Sequence, residues 1–159
     1  METAIVQFNC AGIATGKMRN DLSVTMVHPM AEGPWSLATD EGSFHGGDAS
    51  APPPLALFVA SLTGCIMTQI RAFAKRMGVK LADLRVETRV TWDWQAKGRI
   101  YETAPKSFEI DVLIDSPDAD DKVVALIAAA KKGCFIEQTL ARPNTIRHRM
   151  KTGQGWVDV

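Results

Sequence analysis

The sequence carries no excess of charge of either sign. Its 18 lysines and arginines are balanced by 18 aspartates and glutamates. Proteins that attract nucleic acid or anionic membranes by long-range electrostatics usually carry a surplus of basic residues. The composition therefore favours neither nucleic acid nor a membrane surface as a partner.

Cysteine is also scarce, and the count is odd. The chain has three cysteines, Cys10, Cys65 and Cys134. An odd and small number of cysteines argues against a structural disulfide framework. Met1-Glu2-Thr3 leads into a short alternating segment, which does not resemble the basic start and apolar core of a secretory leader. We therefore expect reduced thiols in a cytoplasmic protein, where any disulfide is transient and catalytic.

The usual signatures of metal sites and hydrolases are missing. His28, His45, His148 and the cysteines show neither C-x-x-C nor H-x-x-x-H spacing. No Gly-x-Ser-x-Gly occurs, and Cys65 lies in the middle of a predicted helix instead of on a sharp turn. The sequence predicts no metal and no cofactor, and it does not favour a hydrolase.

What the sequence does contain is one long apolar helix, predicted from Pro54 to Gly78. Three prolines in residues 52–54 prevent an earlier start, and Gly78 supplies a flexible end. The segment is apolar on most sides from Leu55 to Ile70, so we expect burial on most sides. Because a chain of 159 residues can hardly cover such a helix, a homodimer is the natural solution.

The rest of the chain alternates between strand and helix patterns and predicts one α+β domain over residues 1–159, with antiparallel sheet wrapped around the long helix. Ser116-Pro117-Asp118 is typical of a helix start, and Gly133 of a helix end. Residues 100–104 form a poor strand. The predicted strands are residues 4–8, 22–27, 35–38, 84–94, 108–114 and 145–150, and a further short helix covers 135–141.

Two cysteines are candidates for chemistry. Cys65 borders a stripe of small and polar residues, Ser61, Gly64 and Thr68, and Cys134 directly follows the helix-ending glycine. Free cysteines are nevertheless among the most buried residues and often only fill space. The residues alone leave both interpretations open, a redox pair or inert core thiols. Cys10, in the first strand, is most simply a core residue.

Four segments resemble one known family when they are taken in order. The sequence resembles the osmotically induced protein C and organic hydroperoxide resistance proteins (OsmC/Ohr) from about Lys17 to Met150. The segments that carry the resemblance are GKMRNDLSV, GGDASAPPPLALFVASLTGC, RMGVKLADLRVETRV and KKGCFIEQTL.

The resemblance implies an OsmC-like fold in an intertwined homodimer, with two long central helices and active sites at the subunit interface. It also implies reduction of organic hydroperoxides, an oxidative stress response, without metal or flavin. Cys65 would be the peroxidatic thiol, Cys134 the resolving thiol and Arg19 the activating arginine. Cys65 gains nothing from a helix N-terminus, so its thiolate needs a nearby cation. A dithiol, by resemblance a dihydrolipoyl protein, would be the reductant.

The sequence departs from the family at two positions. Leu55 stands where the family has a glutamate that pairs with the arginine, and no acid occurs between Ala49 and Arg71. Phe135 replaces the proline that usually follows the second cysteine. These departures keep two alternatives open, a non-peroxidase relative that binds a small apolar or anionic molecule in the dimer-interface cleft, and a structural dimer with inert thiols.

Overall fold

A computed structural model describes residues 4–159 of the chain. It contains seven strands and three α-helices within those residues, and one short 3-10 turn at Ser43–His45. In chain order they are β1 (Gln7–Ala14), β2 (Asn20–His28), β3 (Glu32–Thr39), α1 (Pro54–Met77), β4 (Asp83–Lys97), β5 (Ile100–Asp115), α2 (Asp120–Gly133), α3 (Phe135–Leu140), β6 (Arg149–Thr152) and β7 (Gly155–Asp158). The α+β class with antiparallel sheets and one long helix is confirmed.

The chain divides into two compact units, residues up to Ala60 and residues from Ser61 onward. The first unit holds a three-stranded antiparallel sheet in the order β1-β2-β3. Cys10 pairs with Val24 in this sheet, and its side chain is exposed. The expectation that Cys10 is a core residue is therefore wrong for this chain, because every residue of β1, Cys10 included, is exposed.

The second unit is built around the β4–β5 hairpin. Its turn contains Gly98, which adopts a φ of 62° that is unfavourable for residues with a side chain. Residues 100–104, for which the sequence predicts only a poor strand, are part of β5, and Tyr101 pairs with Ala96. Pairing across a tight turn overrides the weak local preference here.

The core of the second unit forms where α1 and α2 meet this hairpin. Its buried members are Ile66, Ile70, Ala74, Val79, Leu126, Ala130 and Cys134. Partly buried residues of β4 and β5 pack against them, among them Leu84, Val86, Ile110, Val112 and Ile114. Alternation along both strands points these side chains to one face of the hairpin, as the period of two predicts.

Helix α1 ends as the sequence predicts but is less covered than expected. Gly78 has a φ of 67°, and the Val79 N–H donates to the Ala74 carbonyl, which is the geometry of a glycine-ended helix. Only Leu62, Ile66, Ile70 and Ala74 are buried along its length in the single chain, a stripe at helical spacing. By length and composition alone α1 could cross a membrane, a test that core helices of soluble proteins also pass.

Several predicted boundaries shift, and the first strand, predicted over residues 4–8, lies at Gln7–Ala14. Ser116 does not cap α2, which begins at Asp120; its hydroxyl donates to the Lys80 carbonyl at 2.7 Å and accepts from the Asp118 N–H. The serine thus closes the loop before the helix. The last strand, predicted over 145–150, lies at Arg149–Thr152 and pairs with a further strand that the sequence did not predict, β7.

Candidate functional site

Cys65 lies on α1, one residue from the buried stripe of that helix. Its side chain is half-buried and packs against the core of the second unit. Two residues earlier, the Thr63 hydroxyl donates to the Thr88 hydroxyl of β4 at 2.9 Å, which fastens this turn of the helix to the hairpin. The thiol therefore sits where apolar core and polar side chains meet, as the sequence predicts.

Cys134 lies at the break between α2 and α3. Its backbone is extended (φ −75°, ψ 111°), so the chain changes direction there and the side chain turns into the core. The thiol is completely buried and accepts a hydrogen bond from the Glu137 N–H at 3.5 Å. A thiol held in this way is shielded from solvent and fixed in orientation.

The structure brings the two thiols together. The Cys65 side chain lies close enough to Cys134 to raise the pKa of its thiol, and both cysteines are free. Burial raises the pKa of the Cys134 thiol from 9.0 to about 11, and its contact with Cys65 adds to this effect. Cys134 is thus a neutral thiol at physiological pH.

Gly133, the residue before Cys134, lies against the side chain of Phe73 on α1. A Cβ at Gly133 would lie 2.6 Å from the Phe73 ring, so a larger residue would require the ring or the backbone to shift. The sequence marked Gly133 only as a helix end. Its second role, the contact with Phe73, depends on tertiary packing and cannot be predicted from the sequence around Gly133.

Glu137 was not predicted as a site residue. Its backbone N–H contacts the Cys134 sulfur, and its Oε2 atom is buried without a hydrogen-bond partner. The residue is one of those that line a cavity of about 320 Å³ between β5 and the helices. A lone glutamate in a short helix reads as a surface residue in sequence, which is why it was missed.

Arg19 lies in the first unit, at the turn that precedes β2. Its guanidinium pairs with Asp21 at 2.9 Å and donates to the carbonyl and hydroxyl oxygens of Ser50 at 3.2 and 3.0 Å. The arginine therefore has an acidic partner in Asp21, and its guanidinium is oriented from two sides. Its action on Cys65 stays a prediction.

Ser50 is held in turn by Asp40, a buried carboxylate at the end of β3. Asp40 Oδ2 accepts from the Ser50 N–H at 2.9 Å and from the Ser50 hydroxyl at 2.8 Å. These hydrogen bonds, that from the backbone N–H first, lower the pKa of Asp40 below its ordinary value. Asp40, Ser50 and Arg19 form a chain of contacts that orders the Gly-rich loop before α1.

No group of three or more histidine, cysteine or acidic side chains close enough to hold a metal ion occurs in the part of the chain that the structure describes. The chemistry available at Cys65 and Cys134 is that of two thiols. Two thiols in contact can form a disulfide, and a thiolate can attack an electrophile.

Comparison with known proteins gives a consistent result. The model of the family described as OsmC-like protein matches residues 46–149. A crystal structure of an OsmC-like hydroperoxide resistance protein from Jannaschia sp. CCS1 is 61% identical, covers 97% of this chain and 98% of its own, and has a TM-score of 0.67. No curated protein matches the chain.

More distant structures share the fold. An organic hydroperoxide resistance protein OsmC from Legionella pneumophila is 18% identical, with a TM-score of 0.57 and coverage of 88% of this chain and 90% of its own. One from Elizabethkingia anophelis is 16% identical, with a TM-score of 0.62 and coverage of 91% and 93%. The family match over most of the chain and the 61% identity agree, and the chain belongs to the OsmC-like protein family.

Proposed function

We propose that the protein is a thiol peroxidase that reduces organic hydroperoxides with Cys65 and Cys134. The observation that carries the proposal is the proximity of these two thiols in an apolar core, where Cys134 is buried and Cys65 packs against the same cluster. A peroxide-related redox role is further supported by the relatives, which are named hydroperoxide resistance proteins.

In the first step the Cys65 thiolate attacks the terminal oxygen of the hydroperoxide. The O–O bond breaks, the sulfur is oxidised to a sulfenic acid, and the alkoxide takes up a proton and leaves as the alcohol. Cys65 suits this role because it is only half-buried, whereas Cys134 has no exposed surface.

In the second step the Cys134 sulfur attacks the sulfenic sulfur of Cys65. A disulfide forms, and the departing hydroxide combines with the Cys134 proton to give water. Burial keeps Cys134 neutral until then, so the hydroperoxide meets one nucleophile only. A dithiol reductant, of which a dihydrolipoyl group is one example, then opens the disulfide by exchange and restores both thiols.

The cation assigned to the Cys65 thiolate, by resemblance to the family, is Arg19. Within the first unit its guanidinium is oriented by Asp21 and Ser50. Asp21 takes the place of the missing family glutamate as the acidic partner. Arg19→Met should slow Cys65 oxidation, and Arg19→Lys should restore part of the rate because it retains the charge.

The proposal includes a homodimer. Only one stripe of α1 is buried in the single chain, and Leu55 at its start is 54% exposed. A second copy would cover the remaining apolar surface. Sedimentation should report a dimer at micromolar concentration, and a stable monomer there would contradict this part of the proposal.

The function is tested by following hydroperoxide consumption in the presence of dihydrolipoamide. Wild type should consume cumene hydroperoxide, and Cys65→Ser should not. Cys10→Ser is the matched control and should match the wild type. Equal inactivity of wild type and Cys65→Ser would rule the peroxidase out.

A second candidate function is favoured by a cavity of about 590 Å³ next to Cys134. Lys132 and Arg142 both line it. Two cationic side chains beside an open cavity suit a small anionic molecule. Binding of such a molecule to a protein that does not consume peroxide, and its loss in Arg142→Gln, would support this alternative.

A further inference from the structure

Helix α3 begins at a sulfur atom. Cys134 is the N-cap residue of this helix, and its Sγ atom accepts a hydrogen bond from the Glu137 N–H at 3.5 Å. The Ile136 N–H also lies close enough to Sγ to lower the pKa of the thiol, although burial raises that pKa more. Helix caps are usually the side-chain oxygens of serine, threonine, aspartate or asparagine. Here the cap is the atom that would form the disulfide.

Few tertiary contacts hold this helix in place. It is six residues long, Phe135–Leu140, and each of its residues is exposed or only partly buried. Ile136 packs against the core of the second unit, whereas Phe135 is 60% exposed. Helices as short as this are marginal by themselves, because few hydrogen bonds offset the cost of the first turn. The hydrogen bond to the Cys134 sulfur therefore matters more to α3 than a cap does to a long helix.

The same sulfur lies beside Cys65. The two cysteines pack in one apolar cluster, and the Cys65 side chain raises the pKa of the Cys134 thiol. A disulfide requires the two Sγ atoms to approach to about 2.05 Å, which is a covalent distance. Cys65 belongs to α1 and the capped N–H groups to α3, so the Cys134 sulfur has partners on two different helices. A sulfur that moves toward Cys65 lengthens a hydrogen bond that already measures 3.5 Å.

We propose that the Cys65–Cys134 disulfide releases the first turn of α3, so that the helix is capped in the reduced protein and opens in the oxidised protein. Formation of the disulfide removes two protons and two electrons from the thiols. In the proposed function the hydroperoxide accepts them and becomes an alcohol and water. The identity of this oxidant rests on the proposed function, whereas the switch itself requires only the disulfide.

Opening of α3 explains how a reductant reaches the Cys134 sulfur. Cys134 has no exposed surface in the reduced protein, so a dithiol cannot contact its sulfur while α3 is closed. A cavity of about 590 Å³ lies beside the helix, and Cys134, Phe135 and Gln138 are among the residues that line it. A displaced first turn leaves the Cys134 sulfur open to this cavity. The buried thiol is then shielded in the reduced protein and accessible in the oxidised protein, where reduction is needed.

The test measures amide hydrogen exchange of residues 135–141 by mass spectrometry. Every protein in it carries Cys10→Ser, so that the exposed third thiol forms no other disulfide. Diamide is the oxidant: the Cys65 thiolate adds to its N=N bond, the Cys134 sulfur displaces the hydrazine, and the hydrazine carries away both protons and both electrons. The α3 amides should exchange about tenfold faster or more in the oxidised than in the reduced protein, while residues 84–90 of β4 should exchange equally in both.

Three variants separate the cap from the disulfide, each measured with and without diamide. Cys134→Ala has no cap, so α3 should exchange fast in both conditions. Cys134→Ser keeps a cap, because a hydroxyl oxygen is a good N-cap, and α3 should exchange slowly in both. Cys65→Ser keeps the sulfur cap but cannot form the intrachain disulfide, so α3 should again exchange slowly in both. The two serine variants keep the test valid if Cys134→Ala does not fold.

Phe135→Pro tests the link between opening of α3 and reduction of the disulfide. Phe135 is the first residue of α3, where proline is favoured, and Cys134 already has the extended backbone that a following proline requires. The variant should keep α3 closed for more of the time. Exchange of α3 in the oxidised protein and reduction of the disulfide by dithiothreitol should therefore both be severalfold slower than in the control, Phe135→Ala.

Equal exchange of α3 in the reduced and oxidised proteins would overturn the inference, and so would failure of diamide to join Cys65 to Cys134. Fast exchange of α3 in Cys65→Ser after diamide would also overturn it, since opening would then not need the disulfide. Slower exchange without slower reduction in Phe135→Pro would refute the role in access. Failure of the proposed function is seen separately, as absence of Cys65-dependent hydroperoxide consumption, because diamide forms the disulfide without a peroxide.

Discussion

The thiol of Cys134, fully buried at the junction of two helices, lies beside Cys65 on the central helix. The two residues lie far apart in sequence and differ in environment, since Cys65 is half-buried. This difference assigns separate roles to the two sulfurs in the proposed reaction. It also leads to the following predictions.

The three cysteines should react with iodoacetamide at different rates. Cys10 is exposed, Cys65 is half-buried and Cys134 is buried, so the expected order is Cys10 first and Cys134 last. Peptide mass spectrometry after timed labelling measures the order. In denaturant the differences should largely disappear, and a Cys134 that reacts as fast as Cys65 in the native protein would refute the assignment.

Stability should fall in alkaline solution because of Cys134. Its pKa is raised in the folded state from 9.0 to about 11, so above pH 9 the unfolded chain loses a proton that the folded chain keeps. The free energy of unfolding should therefore decrease between pH 9 and about pH 11. Urea titrations of wild type and Cys134→Ala check this, and the variant should show a weaker decrease. An equally steep decrease in both proteins would contradict it.

Gly133→Ala should disturb the thiol pair. The added methyl would lie 2.6 Å from the Phe73 ring, and overpacking of this kind costs about 1–3 kcal/mol. Formation of the disulfide after oxidation should slow as well, because Cys134 is the next residue. Gly153→Ala is the control, since a methyl there meets no atom within 4 Å. Equal stability and equal rates of disulfide formation in both variants would show that the contact between Gly133 and Phe73 affects neither property.

Asp40→Asn should loosen the loop that orients Arg19. The pKa of Asp40 is lowered by its hydrogen bonds to Ser50, so the ionised form stabilises the fold at neutral pH. This stabilisation is present above the ordinary value of 3.8 and is lost as the pH falls through the lower folded value. The variant should be less stable than the wild type at neutral pH and should lose less stability in acid, as measured by urea unfolding.

The exposed Asp48 provides the comparison for that experiment. Asp48→Asn removes a carboxylate that pairs with the exposed Lys17 at 2.7 Å, and surface pairs of this kind contribute little. Its stability at neutral pH should stay close to the wild type. If both variants behave alike, the Asp40–Ser50 contact does not order the loop.

Much of the architecture was readable in the sequence. The prolines at 52–54, the apolar segment and Gly78 predicted α1 almost to the residue, and strict alternation predicted most of β4 and the second half of β5. The local sequence did not predict the structure where strand pairing or tertiary packing determines it. Residues 100–104 become strand by pairing with β4, and Ser116 bonds to Lys80 instead of capping α2.

The site was predicted in part for the same reason. Cys65 and Cys134 were singled out from the residues around them, and the structure brings their thiols into contact. Asp21, Asp40 and Glu137 were missed because an acid in a strand, loop or short helix is ordinarily a solvated residue. Only tertiary structure shows that Asp40 is buried and that Glu137 has an unpartnered oxygen.

The most direct test of the central claim is to oxidise the reduced protein with one equivalent of cumene hydroperoxide and map the disulfide by peptide mass spectrometry. The account predicts an intrachain Cys65–Cys134 disulfide that is absent from Cys134→Ser, where a sulfenic acid remains on Cys65. An unmodified Cys65, or a disulfide that joins Cys10 instead of Cys134, would contradict it.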